Sequence, residues 1–107
     1  MLYNLFLDDE RKPTDCRNYV GDGSVYDTED WVEVTNFNDF YQTIKDKGIP
    51  KLVSFDYKIL GDKNGLDCAE FLKFECEELG VPIPKYRVHS GWPGIYGEFL
   101  KILGKSK

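Results

Sequence analysis

Acidic side chains, one histidine and one serine stand where short apolar segments of the chain end. Asp8 and Asp9 follow the first such segment, Asp56 follows another, and His89 and Ser90 end a third. Carboxylates bind divalent cations, and an imidazole transfers protons near neutral pH. Together these residues have the groups needed to bind a phosphate ester through a cation and to move a proton during its cleavage.

The elements that must position these residues are short strands alternating with amphipathic helices. Apolar runs rich in aromatic and β-branched residues predict strands at 2–7, 31–35, 52–56 and 86–90. Helical spacing of apolar residues predicts helices across 37–44, 66–79 and 95–103. Residues 10–30 are polar, contain Pro and Gly, and are predicted to be loop with one short helical turn. Such alternation is typical of a parallel sheet, whose chemistry collects beyond the carboxyl ends of the strands.

The composition limits the class of protein. The 107 residues suit one domain, 1–107, and 41 % hydrophobic residues exclude a disordered chain. Apolar runs are too short for a membrane helix, and the start of the chain lacks signal-peptide features. Three cysteines without CxxC spacing argue against a disulfide scaffold or zinc knuckle and favour a reducing, cytoplasmic location. A net charge of −5 argues against bulk coating of nucleic acid, although the last quarter of the chain is basic.

The three aspartates are candidate ligands of Mg²⁺ or another divalent cation. Asp8, Asp9 and Asp56 would repel one another unless a cation, a proton or an arginine offsets their charge. Arg11 follows the acidic pair closely and would either clamp a phosphate or hold a carboxylate in place. The alternatives are a solvated turn at Asp8 and Asp9 and a weak surface ion pair at Arg11.

The segment after the fourth predicted strand is a candidate phosphate-binding loop. His89 would act as a general acid toward the leaving oxygen of a phosphodiester, with a buried structural histidine as the alternative. Ser90 and the backbone at Gly94 could form an anion site at a helix N-terminus, and Gly91 would allow close approach. Trp92 is either an exposed loop aromatic or a residue that stacks on a base.

Four motifs in this order resemble those of the cyclic-phosphate processing receiver domain, a relative of response-regulator receiver domains. They are LDDERKP at 7–13, WV at 31–32, SFDYKI at 54–59 followed by NGLD at 64–67, and VHSGWPG at 88–94. The resemblance extends from residue 3 to about residue 103. It implies an α/β, receiver-like (flavodoxin-like) three-layer fold with a short, mainly parallel sheet that ends before the fifth strand of ordinary receivers.

The same resemblance implies a function, which is to process cyclic phosphates or related nucleotide ends in bacterial and phage settings. We therefore expect the chain to bind a nucleotide or RNA end bearing a cyclic phosphate. Hydrolysis by a metal-dependent phosphoesterase would use His89, Asp56, Asp9 and Arg11. The chain departs from the family pattern at Tyr57, Lys58 and Trp92, where the family has His, Asp and Asn. These departures leave open two alternatives: a non-catalytic nucleotide-binding module and a degenerate receiver that acts through protein–protein contacts.

Overall fold

Four short parallel strands form one sheet in the computed structural model, which describes residues 3–16, 30–90 and 92–104. The strands are β1 (Asn4–Leu7), β2 (Trp31–Val34), β3 (Leu52–Phe55) and β4 (Lys85–Val88). Their order in the sheet is β2-β1-β3-β4, so β1 and β3 are the central strands. All three pairings are parallel, as the strand–helix alternation predicts.

Three helices connect or follow the strands: α1 (Phe37–Lys47), α2 (Gly65–Leu79) and α3 (Ile95–Leu103). The side chain of Asn36 accepts a hydrogen bond from the backbone N–H of Asp39 and so caps the start of α1. At the start of α2, Asn64 and Asp67 form a reciprocal capping box. A 3₁₀ turn at Pro13–Cys16 is the helical turn predicted between β1 and β2, while residues 17–29 lie outside the described residues. None of the described helices is long and apolar enough to span a membrane.

The three described helices pack on one face of the sheet, where the main hydrophobic core lies. Leu5 and Phe55 point from the central strands toward Phe40, Leu72 and Phe99, one residue from each helix, and all five are buried. The opposite face of the sheet is buried as well. Its residues alternate with the core residues along the strands and include Asn4, Phe6 and Ser54. Both faces are therefore covered, as a receiver-like α/β fold requires, and the predicted fold class is confirmed.

Gly65 begins α2 where its backbone runs directly against the loop that follows β3. Its N–H donates to the carbonyl oxygen of Tyr57 at 2.7 Å, and a Cβ at this position would overlap the carbonyl oxygen of Asp56. Gly97, by contrast, lies within α3 and has open space where a Cβ would stand. The two glycines thus offer a matched pair of substitutions.

We expect Gly65→Ala to lower the free energy of unfolding by about 2 kcal/mol or more, since backbone atoms must shift to admit the methyl group. Gly97→Ala should raise it by about 0.5–1 kcal/mol, because alanine loses less conformational entropy in a helix. Urea unfolding of both variants measures the difference. Wild-type stability of Gly65→Ala would contradict the close approach of α2 to the β3 loop.

Candidate functional site

The parallel ladder itself places three of the predicted residues at one edge of the sheet. Asp8, Asp56 and His89 are each the first residue after a strand. The N–H of Asp8 donates to Val34 at 3.1 Å, that of Asp56 to Leu7 at 3.1 Å, and that of His89 to Phe55 at 2.9 Å. Since these bonds extend the ladders by one residue, the three side chains project from a rigid edge rather than from mobile loops.

The carboxylate of Asp8 is buried, and both of its oxygens make hydrogen bonds or ion pairs. Its Oδ1 accepts the backbone N–H groups of Glu10 and Arg11 at 2.8 and 2.9 Å, and its Oδ2 lies 2.9 Å from both His89 Nε2 and Arg11 Nε. Burial raises the pKa of Asp8, but the hydrogen bonds from His89 and the two backbone N–H groups outweigh it and lower the pKa to about 2. Asp8 is therefore ionised at neutral pH.

The side chain of His89 is buried, and both of its ring nitrogens lie within hydrogen-bond distance of a partner. Its Nε2 donates to Asp8, because an ionised carboxylate only accepts, and its Nδ1 is 2.6 Å from Ser54 Oγ. The imidazole stacks on the ring of Phe6, with centroids 4.6 Å apart and planes at 3°. Only 1 % of the residue is exposed. The structure therefore places this predicted general acid in the interior, where it orients Asp8.

Arg11 connects the ends of three strands through one guanidinium group. Its Nε is 2.9 Å from Asp8 Oδ2, its Nη2 is 3.4 Å from Asp56 Oδ1, and its Nη1 donates to the carbonyl oxygen of His89 at 3.2 Å. These contacts fix the guanidinium, while the Arg11 side chain remains 28 % exposed and is accessible from solvent. Of its two predicted roles, holding carboxylates in place is observed directly.

Asp56 differs from Asp8 in its surroundings. Its Oδ1 accepts the backbone N–H of Tyr57 at 2.8 Å in addition to the contact with Arg11. Its Oδ2 makes no hydrogen bond within the described part of the chain. Burial and the negative charge of Asp8 raise the pKa of Asp56, although Arg11 and the Tyr57 N–H act in the other direction. Two neighbouring carboxyl groups thus have pKa values pushed apart, a pattern typical of acid–base sites.

A buried group formed by Asp8, Asp56 and His89 can hold a metal ion. Each residue offers one ligand atom, and these atoms lie within 4.8 Å of one another. Asp9, the third predicted ligand beside Asp8 and Asp56, is outside this group and lines the neighbouring cleft instead. Because the Arg11 guanidinium already offsets the charge of Asp8 and Asp56, a cation would compete with it for these carboxylates.

A cleft of about 460 Å³ opens beside Arg11 and Asp56. It is lined by Asp9, Glu10, Arg11, Asp56, Lys58, Ser90, Trp92 and Pro93. Two of the predicted ligand-binding residues, Ser90 and Trp92, thus line the cleft, and the Ser90 hydroxyl accepts the backbone N–H of Trp92 at 3.4 Å. Gly94 is not one of these lining residues and caps the start of α3. Gly91 lies outside the described residues.

Sequence reasoning missed two residues of the site. Ser54 supports His89 from the face of the sheet opposite the helices, and its signal is a lone polar residue in the apolar strand β3. Lys58 appeared only as a departure from the family motif, but it lines the cleft, and its Nζ lies 5.8 Å from the centroid of the Trp92 ring. The contact between Lys58 and Trp92 joins two loops and has no local sequence signal.

We expect Asp8→Asn and Asp56→Asn to change stability in opposite directions at neutral pH. The lowered pKa of Asp8 means that its ionised form stabilises the fold above the ordinary pKa of 3.8, a contribution lost as the pH falls toward about 2. Asp8→Asn should therefore lower the free energy of unfolding by about 2 kcal/mol at neutral pH. The raised pKa of Asp56 means that ionisation destabilises the fold increasingly as the pH rises through the folded pKa, so Asp56→Asn should raise the melting temperature.

Thermal unfolding in a chelating buffer, followed from acidic to neutral pH, tests this pair. The advantage of Asp56→Asn over the wild type should shrink at acidic pH, where Asp56 is protonated in both states. Asp62→Asn, at an exposed aspartate, is the control and should change little. A lower melting temperature for Asp56→Asn at neutral pH would show that the Arg11 contact outweighs burial and the repulsion from Asp8.

Comparison with known proteins places this site in a family. No curated protein matches the chain. The sequence model of the cyclic-phosphate processing receiver domain matches residues 3–99, which include every strand, the cleft and the Asp8–Arg11–Asp56–His89 network. The chain therefore belongs to the family of cyclic-phosphate processing receiver domains.

Proposed function

We propose that the cleft binds the cyclic phosphate of a nucleotide or RNA end and that the protein opens this ring by hydrolysis. Arg11 is the observation that carries the proposal. Its guanidinium is fixed by two buried carboxylates, yet it lines the cleft and stays partly exposed. A planar guanidinium held in this way suits recognition of phosphate oxygens, and a cleft of about 460 Å³ is of the size that small-molecule sites have.

Hydrolysis needs an attacking water and two proton transfers. Water adds its oxygen to phosphorus, the bond from phosphorus to one ribose oxygen breaks, and that oxygen takes up a proton, so that the product is a phosphate monoester. Asp9 lines the cleft and would accept the proton of the water. Asp56, whose pKa is raised, would donate a proton to the leaving oxygen. Arg11 would stabilise the charge that develops on the phosphoryl oxygens.

We assign His89 a positioning role in place of the general acid expected from the sequence. Its ring is buried, and both nitrogens are engaged by Ser54 and Asp8. It therefore has no nitrogen available to a ligand in the cleft without breaking one of these bonds. The proposed role is to fix Asp8, which in turn holds Arg11 beside the phosphate site.

A divalent cation such as Mg²⁺ belongs to the same proposal. Oδ2 of Asp56 has no partner among the described residues, Asp9 lines the same cleft, and carboxylate oxygens are the ligands that Mg²⁺ prefers. Asp8, Asp9 and Asp56 are the residues that would hold the ion, and a bound ion would supply positive charge to the phosphoryl oxygens. Because a bound cation would keep the Asp56 carboxylate ionised, Asp56 would then serve as a ligand, and its role as proton donor applies to the site without the ion. Arg11 supplies part of that charge in the structure without a metal.

If Arg11 and Mg²⁺ compete for the same carboxylates, Arg11→Gln should strengthen the response to Mg²⁺. Without metal, the variant should lose about 2 kcal/mol of unfolding free energy, because two buried carboxylates lose their shared cation. Millimolar Mg²⁺ should then raise its melting temperature more than that of the wild type. Lys58→Gln, which removes a charge from the same cleft, is the matched control. Equal stabilisation of all three proteins by Mg²⁺ would exclude competition between Arg11 and the ion, and no stabilisation of any of them would exclude metal binding at Asp8 and Asp56.

Turnover is tested with 2′,3′-cyclic nucleotides and Mg²⁺, with the products separated by chromatography. The wild type should yield the 2′- or 3′-monoester, and Asp56→Asn and Arg11→Gln should each lower kcat/KM by about 100-fold or more. Asp62→Asn should leave the rate unchanged. Binding without turnover in the wild type would favour the second candidate, a non-catalytic nucleotide-binding module. That candidate is supported by Lys58 and Trp92, which line the cleft where the family pattern has Asp and Asn.

A further inference from the structure

At three positions the chain departs from the family pattern, and two of these residues, Tyr57 and Lys58, contact the third, Trp92, which lines the cleft. The rings of Tyr57 and Trp92 have centroids 5.5 Å apart and meet edge to face at 68°. Lys58 Nζ lies 5.8 Å from the centroid of the Trp92 ring. Tyr57 and Lys58 come from the loop after β3, and Trp92 comes from the loop after β4. We refer to Tyr57, Lys58 and Trp92 as the aromatic wall.

The aromatic wall presents a large apolar surface to solvent beside charged groups. The ring of Trp92 is held by its contacts with Tyr57 and Lys58. The residue is nevertheless 51 % exposed, so part of its surface is available to a ligand. The same ring lines the cleft that contains Arg11 and Asp56. A ligand that fits this surface needs an apolar, planar part next to an anionic part, since the cleft is lined by both an indole and a guanidinium.

We propose that Trp92 is a stacking platform for the base of a nucleotide whose phosphate lies at Arg11, with Lys58, which lines the same cleft, as a second cation for the phosphate. This inference deepens the proposed function and rests on it for the position of the phosphate. It narrows the ligand class to cyclic phosphates that carry a nucleobase and excludes baseless sugar or polyol cyclic phosphates as preferred ligands. Stacking on one aromatic ring accepts any base, so selection among bases is weak.

The chain provides its own reporter for this test, because it contains two tryptophans. Trp31 packs against Phe6 and is not among the residues that line the cleft, so Trp31→Phe leaves Trp92 as the reporting indole. Adenosine 2′,3′-cyclic phosphate should quench the fluorescence of this variant. The baseless probe, methyl riboside 2′,3′-cyclic phosphate, should bind by calorimetry without quenching. In the otherwise native chain, Trp92→Leu should weaken binding of the cyclic nucleotide about 10-fold and leave the baseless probe unaffected.

Each outcome decides the inference. If Trp92→Leu, shown to be folded by circular dichroism, binds the cyclic nucleotide as tightly as the wild type, the platform is excluded while phosphate binding stands. If neither cyclic phosphate binds, the proposed function fails, and free adenosine then tests the platform alone. Quenching of Trp92 by adenosine would support the platform without the phosphate site, and no quenching would overturn both. Trp92→Phe, which keeps a smaller ring, should fall between the wild type and Trp92→Leu.

Discussion

The ion pairs of Arg11 with Asp8 and Asp56 are the interaction on which the site depends. β1 and β3 are adjacent parallel strands, so the residues that follow them must lie side by side, and here both are buried aspartates. Two negative charges that are buried side by side would oppose folding unless they shared a cation. Arg11 provides one within the same segment as Asp8, and the backbone N–H groups of Glu10 and Arg11 bind the Asp8 carboxylate in the same turn.

The two aspartates differ in their surroundings and therefore in their pKa values. Asp8 is fixed by four hydrogen-bond or ion-pair contacts and by the buried Ser54–His89 pair behind it, so its ionised form is stabilised. Asp56 also contacts Arg11, but its burial and the negative charge of Asp8 raise its pKa. The network thus stabilises the ionised form of one carboxylate and raises the pKa of the other, and the proposed proton transfer depends on this difference.

Most of the fold could be predicted from the sequence, because its signals are local. Asn36, Asn64 and Gly80 mark helix ends through contacts within a few residues, and the strand-end rule brings Asp8, Asp56 and His89 to one edge. The orientation of side chains at that edge could not be predicted. His89 turns inward because Phe6 and Ser54, on two other strands, supply a ring and a hydroxyl for it. Such contacts between distant segments leave no periodicity in the chain.

Net charge and local charge act on different scales in this protein. A net charge of −5 disfavours a long polyanion, whose many phosphates would meet the acidic surface as a whole. The cleft nevertheless contains two cations, Arg11 and Lys58, beside the carboxylates of Asp9, Glu10 and Asp56. A phosphate would be attracted to the part of the cleft where the two cations lie, because screening by solvent is weaker there than at the open surface. A site with two cations suits the proposed ligand, a single cyclic phosphate, better than the many internal phosphates of a nucleic acid. The proposed phosphate site is therefore compatible with a net charge of −5, because it needs only two cations close to one phosphate.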